Sequence, residues 1–410
     1  MTKPKVKSSR SRLAAALVGA ALGAGALVVP ASAAPSSPGE AGPLSRADLR
    51  AEVERTLEQA GYVGISVEVR DGRHRFRARA GEAKLGTGRP VPYGGALRAA
   101  SVTKPFVATV VLQLVAEGRL SLDDTVERWL PGVVAGNGND GSRVTVRHLL
   151  QHTSGIHSYH YTDDTGDDAA AFQRHRFDRI EPEQLIAGAM RSSPDFPPAA
   201  PGDPEPNWNY SNPGYVLAGM IIEKVTGRSW ATEVHHRIVE PLGLRGTYAP
   251  GHDPFLRGPH AHTYHRFPGS DGWTDTTVRD MSWADAAGSL ITTERDQDRF
   301  LSALFDGRLL PPREMAEMRH VVPVGEDFQV PFPGLHYGLG LMRQPLSCGG
   351  YRWGHGGDTD GGSVRNGLTE DGSRGVVISA TGKIPEDEPL LRAEAAVQRL
   401  VDTVLCEGIR

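Results

Sequence analysis

Apolar positions recur at helical spacing from Arg46 to Gln59, then alternate over Tyr62 to Arg70 and Arg73 to Ala80. The first pattern predicts an amphipathic helix, and the second predicts two strands joined by a hairpin turn at Asp71-Gly72. A nearly unbroken apolar run from Val102 to about Val115 predicts a buried helix that stops at Gly118. From about Leu122 to Val278 the strand signal fades. Helical patches (Val146 to Gln151, Glu183 to Met190, Gly214 to Thr226, Thr232 to Val239) alternate there with loops rich in Pro, Gly and Asp. Beyond Ala287 strands are expected again, at His336 to Leu341, Tyr351 to Gly354, Val364 to Thr369 and Val376 to Ala380. The last two are joined by the turn Glu370-Asp371-Gly372-Ser373, and Leu390 to Leu405 closes the chain as an amphipathic helix. Strands, helices, strands, helix is the order of an α/β fold of the α+β type. A sheet built from both ends of the chain is flanked by helices, and a mainly helical lobe is inserted between.

The start of the chain follows another pattern. Lys3, Lys5, Lys7, Arg10 and Arg12 precede an apolar run from Leu13 to Val29, and Ala31-Ser32-Ala33 supplies small residues at cleavage positions. This is the composition of a secretory signal peptide, residues 1–33. The alternative, a retained membrane anchor, is disfavoured because the run falls just short of the ~20 residues a spanning helix needs and is rich in Gly and Ala. Ser11 separates Arg10 from Arg12, so a twin-arginine signal is not supported. Residues 34–44 form a Pro/Ser/Gly/Ala linker. Residues 45–406 form one catalytic-size domain, its sheet lobe at 45–121 and 287–406 and its helical lobe at 122–286. Export is expected, with no stable membrane anchor.

The net charge of −4 comes from interspersed acids and bases, so no nucleic-acid partner is expected. Arginine outnumbers lysine, 38 to 7, which gives the position of any one lysine more weight. Two cysteines, Cys348 and Cys406, suggest one disulfide in an exported protein, with two unpaired thiols as the alternative. The triplets His260, His262, His265 and His152, His157, His160 lie in loop-rich stretches without helical ligand spacing. No metal and no cofactor is expected from them.

Three short motifs carry the chemistry. Ser101-Val102-Thr103-Lys104 opens the apolar helix and puts a hydroxyl and an amine on one side of its first turn. The amine can take the hydroxyl proton, and the helix start favours the alkoxide that forms. Read alone, Ser101 is equally an N-cap and Lys104 a solvated first-turn residue. Asn209-Tyr210-Ser211-Asn212 precedes the next apolar helix. A tyrosine beside a lysine ammonium is expected to have its pKa depressed and to relay protons. Asn212 offers a donor and an acceptor to a substrate amide. Trp353-Gly354-His355-Gly356-Gly357-Asp358 ends a strand, where glycines let a substrate lie against the backbone and an N–H face an oxyanion. No G-x-S-x-G elbow is present.

Taken together, Ser-x-x-Lys, Tyr-x-Asn and His-x-Gly in this order resemble the penicillin-recognising serine hydrolases, in particular the secreted actinomycete D-alanyl-D-alanine carboxypeptidases and the class C β-lactamases. Further stretches share the likeness: Val144 to Gly155, Tyr210 to Gly227, Ser282-Trp283 with Ala287-Gly288, Tyr337 to Leu341 and Leu346 to Gly349. The resemblance implies a β-lactamase/DD-peptidase-like fold and a metal-free acyl-enzyme mechanism. Ser101 would be the nucleophile, and Lys104 and Tyr210 would share the acid and base work. The backbone N–H groups of Ser101 and Asp358 would form the oxyanion hole, and Asn212, His355, Gly357 and Trp283 would hold substrate. It also implies a Cys348–Cys406 disulfide. Peptidoglycan stem peptides, small esters and β-lactams are the partners it suggests, with D-alanyl-D-alanine carboxypeptidase activity first. An esterase, a D-amino-acid amidase or aminopeptidase, a class C-like β-lactamase and a β-lactam-binding protein without turnover are the alternatives. Three positions, in two places, depart from the carboxypeptidase pattern. Gly356 and Asp358 stand where threonines follow the histidine, and Met342 stands where an arginine follows the Gly-Leu-Gly-Leu segment. Arg343, one residue on, would point the other way along a regular strand.

Overall fold

The computed structural model describes residues 42–410; the expected leader at 1–33 and residues 34–41 of the expected linker lie outside the described residues. Helix α1 (Arg46–Ala60) begins at a reciprocal cap, Ser45 Oγ accepting from Asp48 N–H and the Asp48 carboxylate from Ser45 N–H. It ends where Gly61 takes the left-handed conformation at φ 68°. Strands β1 (Gly64–Asp71) and β2 (His74–Gly81) form the expected hairpin. Helix α2 (Thr103–Ala116) follows a single 3-10 turn, Ala100–Val102, so Ser101 sits in that turn rather than in the helix itself.

Helices α3 (Val146–Gln151), α4 (Asn212–Thr226) and α5 (Glu294–Phe305) fall in the middle of the chain. The C-terminal third supplies β3 (Val322–Pro323), β4 (His336–Tyr337), β5 (Met342–Pro345), β6 (Tyr351–Gly354), β7 (Gly356–Thr359), β8 (Gly362–Thr369), β9 (Arg374–Thr381) and α6 (Asp387–Glu407). Among the described residues the strands form one antiparallel nine-stranded sheet, ordered β2-β1-β9-β8-β6-β5-β4-β3, with β7 also on β8. The N-terminal hairpin joins the C-terminal strands near one edge of the sheet, where β1 pairs β9. A short ladder, Leu97–Arg98 with Ile291–Thr292, closes off the inserted stretch.

Both faces of the sheet are covered, giving three layers. Ile65, Val67, Val69, Val376 and Ile378 pack under α1 and α6 against Leu49, Val53, Leu400 and Val401. On the other face Val364, Leu368 and Val377 join the larger core around α2 and α4. The stacked rings of Phe106 and Phe300, 3.7 Å apart and fully buried, tie α2 to α5. Truncating Phe106 to alanine would cost about 3–5 kcal/mol. Every residue of α2 from Thr103 to Leu112 is buried, so the helix carrying Lys104 is fixed from all sides.

Two expectations are corrected. The strand expected over His336 to Leu341 stops at Tyr337, because Gly340 turns at φ +81° and the chain reverses into β5, making a hairpin. A side chain at Gly340 would meet Ala108 Cβ at 2.7 Å, so the turn lies directly on α2. Strand β7 was not expected, since Gly-Gly-Asp-Thr shows no alternation. The Cys348–Cys406 disulfide is formed and ties the β5–β6 loop to α6.

Candidate active site

The site lies where the 3-10 turn, the start of α4 and β7 converge. Ala100 holds a positive φ of 49°, a strained conformation for alanine, one residue before Ser101. Strand β7 lies against this turn. A side chain at Gly357 would stand 2.4 Å from Ala99 O and 3.0 Å from Ser101 N, so only glycine allows the approach. Ser101 and Asp358, the residues expected to supply the oxyanion-hole N–H groups, both line the cleft beside that contact.

Lys104 is completely buried. Its Nζ lies 3.1 Å from Ser101 Oγ, 2.9 Å from Asn212 Oδ1 and 2.8 Å from Ala287 O. Burial holds the amine well below the ordinary lysine pKa. The neutral amine has two N–H groups, which Asn212 Oδ1 and Ala287 O accept, leaving the lone pair to Ser101 O–H. This is the arrangement of a nucleophile with its base. The contact also fixes Asn212, whose oxygen is spent on Lys104, so its amide nitrogen remains to donate to a substrate carbonyl.

Tyr210 is half-buried, its ring centroid 4.7 Å from Lys104 Nζ. The expected depression of its pKa is corrected: burial pushes the phenol up, opposed by the Ser101 hydroxyl. A neutral amine offers no cation to stabilise a phenolate, so Tyr210 stays an O–H donor. His355 is likewise reassigned. Only 2 % exposed, it aligns Nδ1 with Gly356 O and Nε2 with Tyr337 Oη at 2.9 Å, and burial lowers its pKa to about 3. Both ring nitrogens are engaged inside the protein, so His355 positions β7 and Tyr337 rather than touching substrate. Its own N–H donates to Asn366 Oδ1 at 2.8 Å.

Trp283 lines the cleft with Ser101, Asn212 and Asp358, as expected. Tyr159 and Tyr161 also line it; they sit in a loop without periodicity, and the sequence carried no signal for them. His152 was missed as well. It ends α3 in the left-handed conformation at φ 64°, and its Nδ1 accepts from Ser211 N–H at 3.1 Å. Its ring lies 4.3 Å from that of Tyr210, so it holds the Tyr-Ser-Asn turn.

Three other histidines of the two triplets turn to separate partners, His157 to Asp195, His262 to Asp275 and His260 to Gly258 O. Among the described residues the donors that do converge are His235, His236 and Glu240, all exposed and away from Ser101 in sequence and lining.

The carboxylate end of the pocket differs from the carboxypeptidase pattern in charge as well as sequence. Side chains alternate along β7, so Asp358 lies on the opposite face from Gly357. Its carboxylate is 3.0 Å from Arg365 Nη2 and 3.2 Å from Lys383 Nζ. Burial would raise its pKa, but these two charges prevail and hold it well below the usual range. Arg365 is further held by Glu394 at 2.6 Å. Met342 packs on the aromatic cluster of Tyr210, Phe328 and Tyr337, whereas Arg343 turns away to stack on Tyr351 at 4.4 Å.

A family model, Beta-lactamase, matches residues 49–400. The chain belongs to the beta-lactamase family. It is a serine hydrolase of the β-lactamase fold. Among β-lactamase-fold structures, that of a D-stereospecific amidohydrolase from Streptomyces sp. is 40% identical, covering 86% of this chain and 98% of that one with a TM-score of 0.74. A D-amino acid amidase from Ochrobactrum anthropi SV3 is 26% identical over 87% of this chain and 97% of its own, also at 0.74. Curated relatives include Esterase EstB of Burkholderia gladioli, 36% identical over 49% of this chain and 52% of that protein. Penicillin-binding protein 4 of Amycolatopsis lactamdurans is 32% identical over 48% of this chain and 46% of that protein. The chain thus spans about half the length of these curated relatives.

Proposed function

We propose that this protein is an exported amidohydrolase that cleaves the amide bond at the carbonyl of a D-amino acid residue through an acyl-enzyme on Ser101. Lys104 Nζ takes the Ser101 proton as Oγ attacks the carbonyl carbon. The oxyanion is received by the N–H groups of Ser101 and Asp358. The C–N bond then breaks as Tyr210 hands its phenolic proton to the departing amine, and Lys104 returns the first proton to Tyr210. Water repeats the sequence on the ester, releasing the acid and restoring Ser101.

The observation that carries this reading over the carboxypeptidase is the state of the cations. A substrate carboxylate needs an uncommitted positive charge, and Arg365 and Lys383 are already paired with Asp358 and Glu394. Met342 and the aromatic cluster beside Tyr210 suit an uncharged leaving group. The amidohydrolase and amidase neighbours, aligned over nearly their whole length, support the same choice. The leader at residues 1–33 and the disulfide support export.

A second reading, D-alanyl-D-alanine carboxypeptidase, is favoured by Arg365, which lies on β8 opposite Gly356. The two are separated by comparing hydrolysis of D- and L-phenylalanine amides with D-alanine release from a diacylated Lys-D-Ala-D-Ala peptide, in wild type and Ser101→Ala. Ser101-dependent turnover of the D-amide, with little D-alanine release, is expected. D-alanine release without amide turnover overturns the amidohydrolase. A stable penicillin adduct with turnover of neither makes the protein a β-lactam-binding protein, and turnover confined to esters or β-lactams makes it an esterase or β-lactamase.

A further inference from the structure

Between Trp230 and Leu242 the chain is helical throughout but changes its winding midway. The helix Trp230–Val234 runs into a π-helical turn, His235–Val239, and on into the helix Glu240–Leu242. In the π turn Glu240 N–H donates to His235 O, five residues back instead of four. One face of the stretch is buried: Val234, Ile238, Val239 and Leu242 belong to the core around α2 and α4. That burial fixes the backbone, and His235, His236 and Glu240 are left on the exposed side.

An ordinary α-helix brings together residues three and four apart, which would pair His236 with Glu240 and leave His235 rotated away. The extra residue of the π turn stacks His235 under Glu240 as well. One ligand atom from each of His235, His236 and Glu240 then lies within 4.8 Å of the others. His236 Nδ1 and Glu240 Oε2 are 3.3 Å apart, and the two imidazole centroids 5.4 Å. Two ligands of a tetrahedral ion, each bound at about 2.1 Å, stand about 3.4 Å from one another. The His236–Glu240 spacing fits such an ion as it is, and His235 needs only a rotamer adjustment at the surface.

His235 and Glu240 also line an open groove of about 510 Å³, which leaves room for water to complete a coordination sphere. Arg237, in the same turn, is held by Glu117 and Glu233, so its charge is offset. Arg245 and Arg257 line the groove too, and the cluster holds a single carboxylate. This does not suit Ca²⁺ or Mg²⁺, which seek several oxygen ligands. Two imidazoles and a carboxylate suit Zn²⁺, Ni²⁺ or Cu²⁺.

We infer that His235, His236 and Glu240 form a surface site for a divalent transition-metal ion of the zinc class, assembled by the π turn. None of the three lines the Ser101 cleft, so the ion would brace this helical stretch and take no part in the reaction. The inference does not depend on the proposed activity.

The test titrates ZnCl₂ into the purified protein, free of any histidine tag, by calorimetry and follows the thermal midpoint with the ion and with a chelator. One equivalent is expected to bind and to raise the midpoint, since an ion held by the folded state stabilises it. CaCl₂ should do neither. His235→Ala, His236→Ala and Glu240→Gln should each weaken Zn²⁺ binding by at least about tenfold, the lower bound for losing even an outer partner of a metal ligand. Midpoints near that of wild type in chelator confirm that the variants fold. The double variant His260→Ala, His262→Ala removes another neighbouring pair, with rings 6.0 Å apart, and should bind as wild type does. No binding of Zn²⁺, or binding that survives the loss of either His235 or His236, overturns the site. Binding that needs both histidines but not Glu240 overturns the three-ligand geometry and the role of the π turn. Equal binding of Ca²⁺ overturns the choice of ion.

Discussion

Lys104 Nζ stands 3.1 Å from Ser101 Oγ, and its other polar neighbours, Asn212 Oδ1 and Ala287 O, are uncharged. No carboxylate is among them to hold a proton on the amine. Burial then favours the neutral form, and a neutral amine at this distance is a base. Lys104→Met should therefore abolish acylation rather than weaken binding. Adduct formation with penicillin, followed by intact mass, should slow by about 10³-fold or more. An unchanged rate would assign the base elsewhere.

Tyr210 keeps its proton because burial raises its pKa, so its main task is to donate to the leaving group. Tyr210→Phe should lower amide hydrolysis by about 10²–10⁴-fold. A para-nitrophenyl ester leaves without needing a proton, so its acylation should suffer much less. Equal losses on both substrates would mean that Tyr210 acts earlier, on Ser101.

Asp358 occupies cations that a terminal carboxylate would use. Asp358→Asn removes that competition while keeping the backbone N–H. The ratio of D-alanine release from the diacylated Lys-D-Ala-D-Ala peptide to amide hydrolysis should rise by about tenfold, the scale of one partly exposed charge contact. A fall in the ratio would show that the acid serves carboxylate substrates in some other way.

His355 titrates near 3 when folded and near the ordinary imidazole value when unfolded. Between those values the unfolded chain binds the proton and the folded protein does not. Stability is therefore lost as pH falls below about 6.5, by up to about 1.4 kcal/mol per pH unit from this residue. Urea unfolding at about pH 4 and about pH 6.5 should show a smaller acid penalty in His355→Gln than in wild type. Equal penalties would place the titration on other groups, His152 first.

The Cys348–Cys406 disulfide spans 58 residues of sequence, from the sheet to the last helix. Loop-closure entropy assigns such a crosslink about 4 kcal/mol. Replacing both cysteines with serine should lower the thermal midpoint substantially while leaving the rate of penicillin labelling at Ser101 nearly unchanged at moderate temperature. A lost labelling rate in folded protein would tie α6 to the site more tightly than the geometry indicates.

Much of the fold was legible because its elements are locally determined. The Val146–Gln151 helix and the Tyr351–Gly354 strand appear with the bounds their patterns predict, and α1, β1 and β2 fall within a residue or two. Strand β7 was not legible, because glycines chosen for close approach to Ala99 and Ser101 erase the alternation that marks a strand. The His336 to Leu341 strand was overextended because an apolar run does not reveal that Gly340 turns back. Ser101, Lys104, Tyr210 and Asn212 stood out by type and spacing, and Trp283 only through the family resemblance. His152 was not, since its role depends on a backbone N–H 59 residues away.

By itself, the sequence determined the family and pointed to the candidate reactive groups, because each lies in a short motif of recognisable residue types. The tertiary structure decided their protonation and their charge balance. Whether Lys104 is a cation or a base depends on burial by α4 and the 285–288 turn, and whether Arg365 is available depends on Asp358 and Glu394. Such energies arise from distance and solvent exclusion between segments far apart in the chain, which no local pattern records.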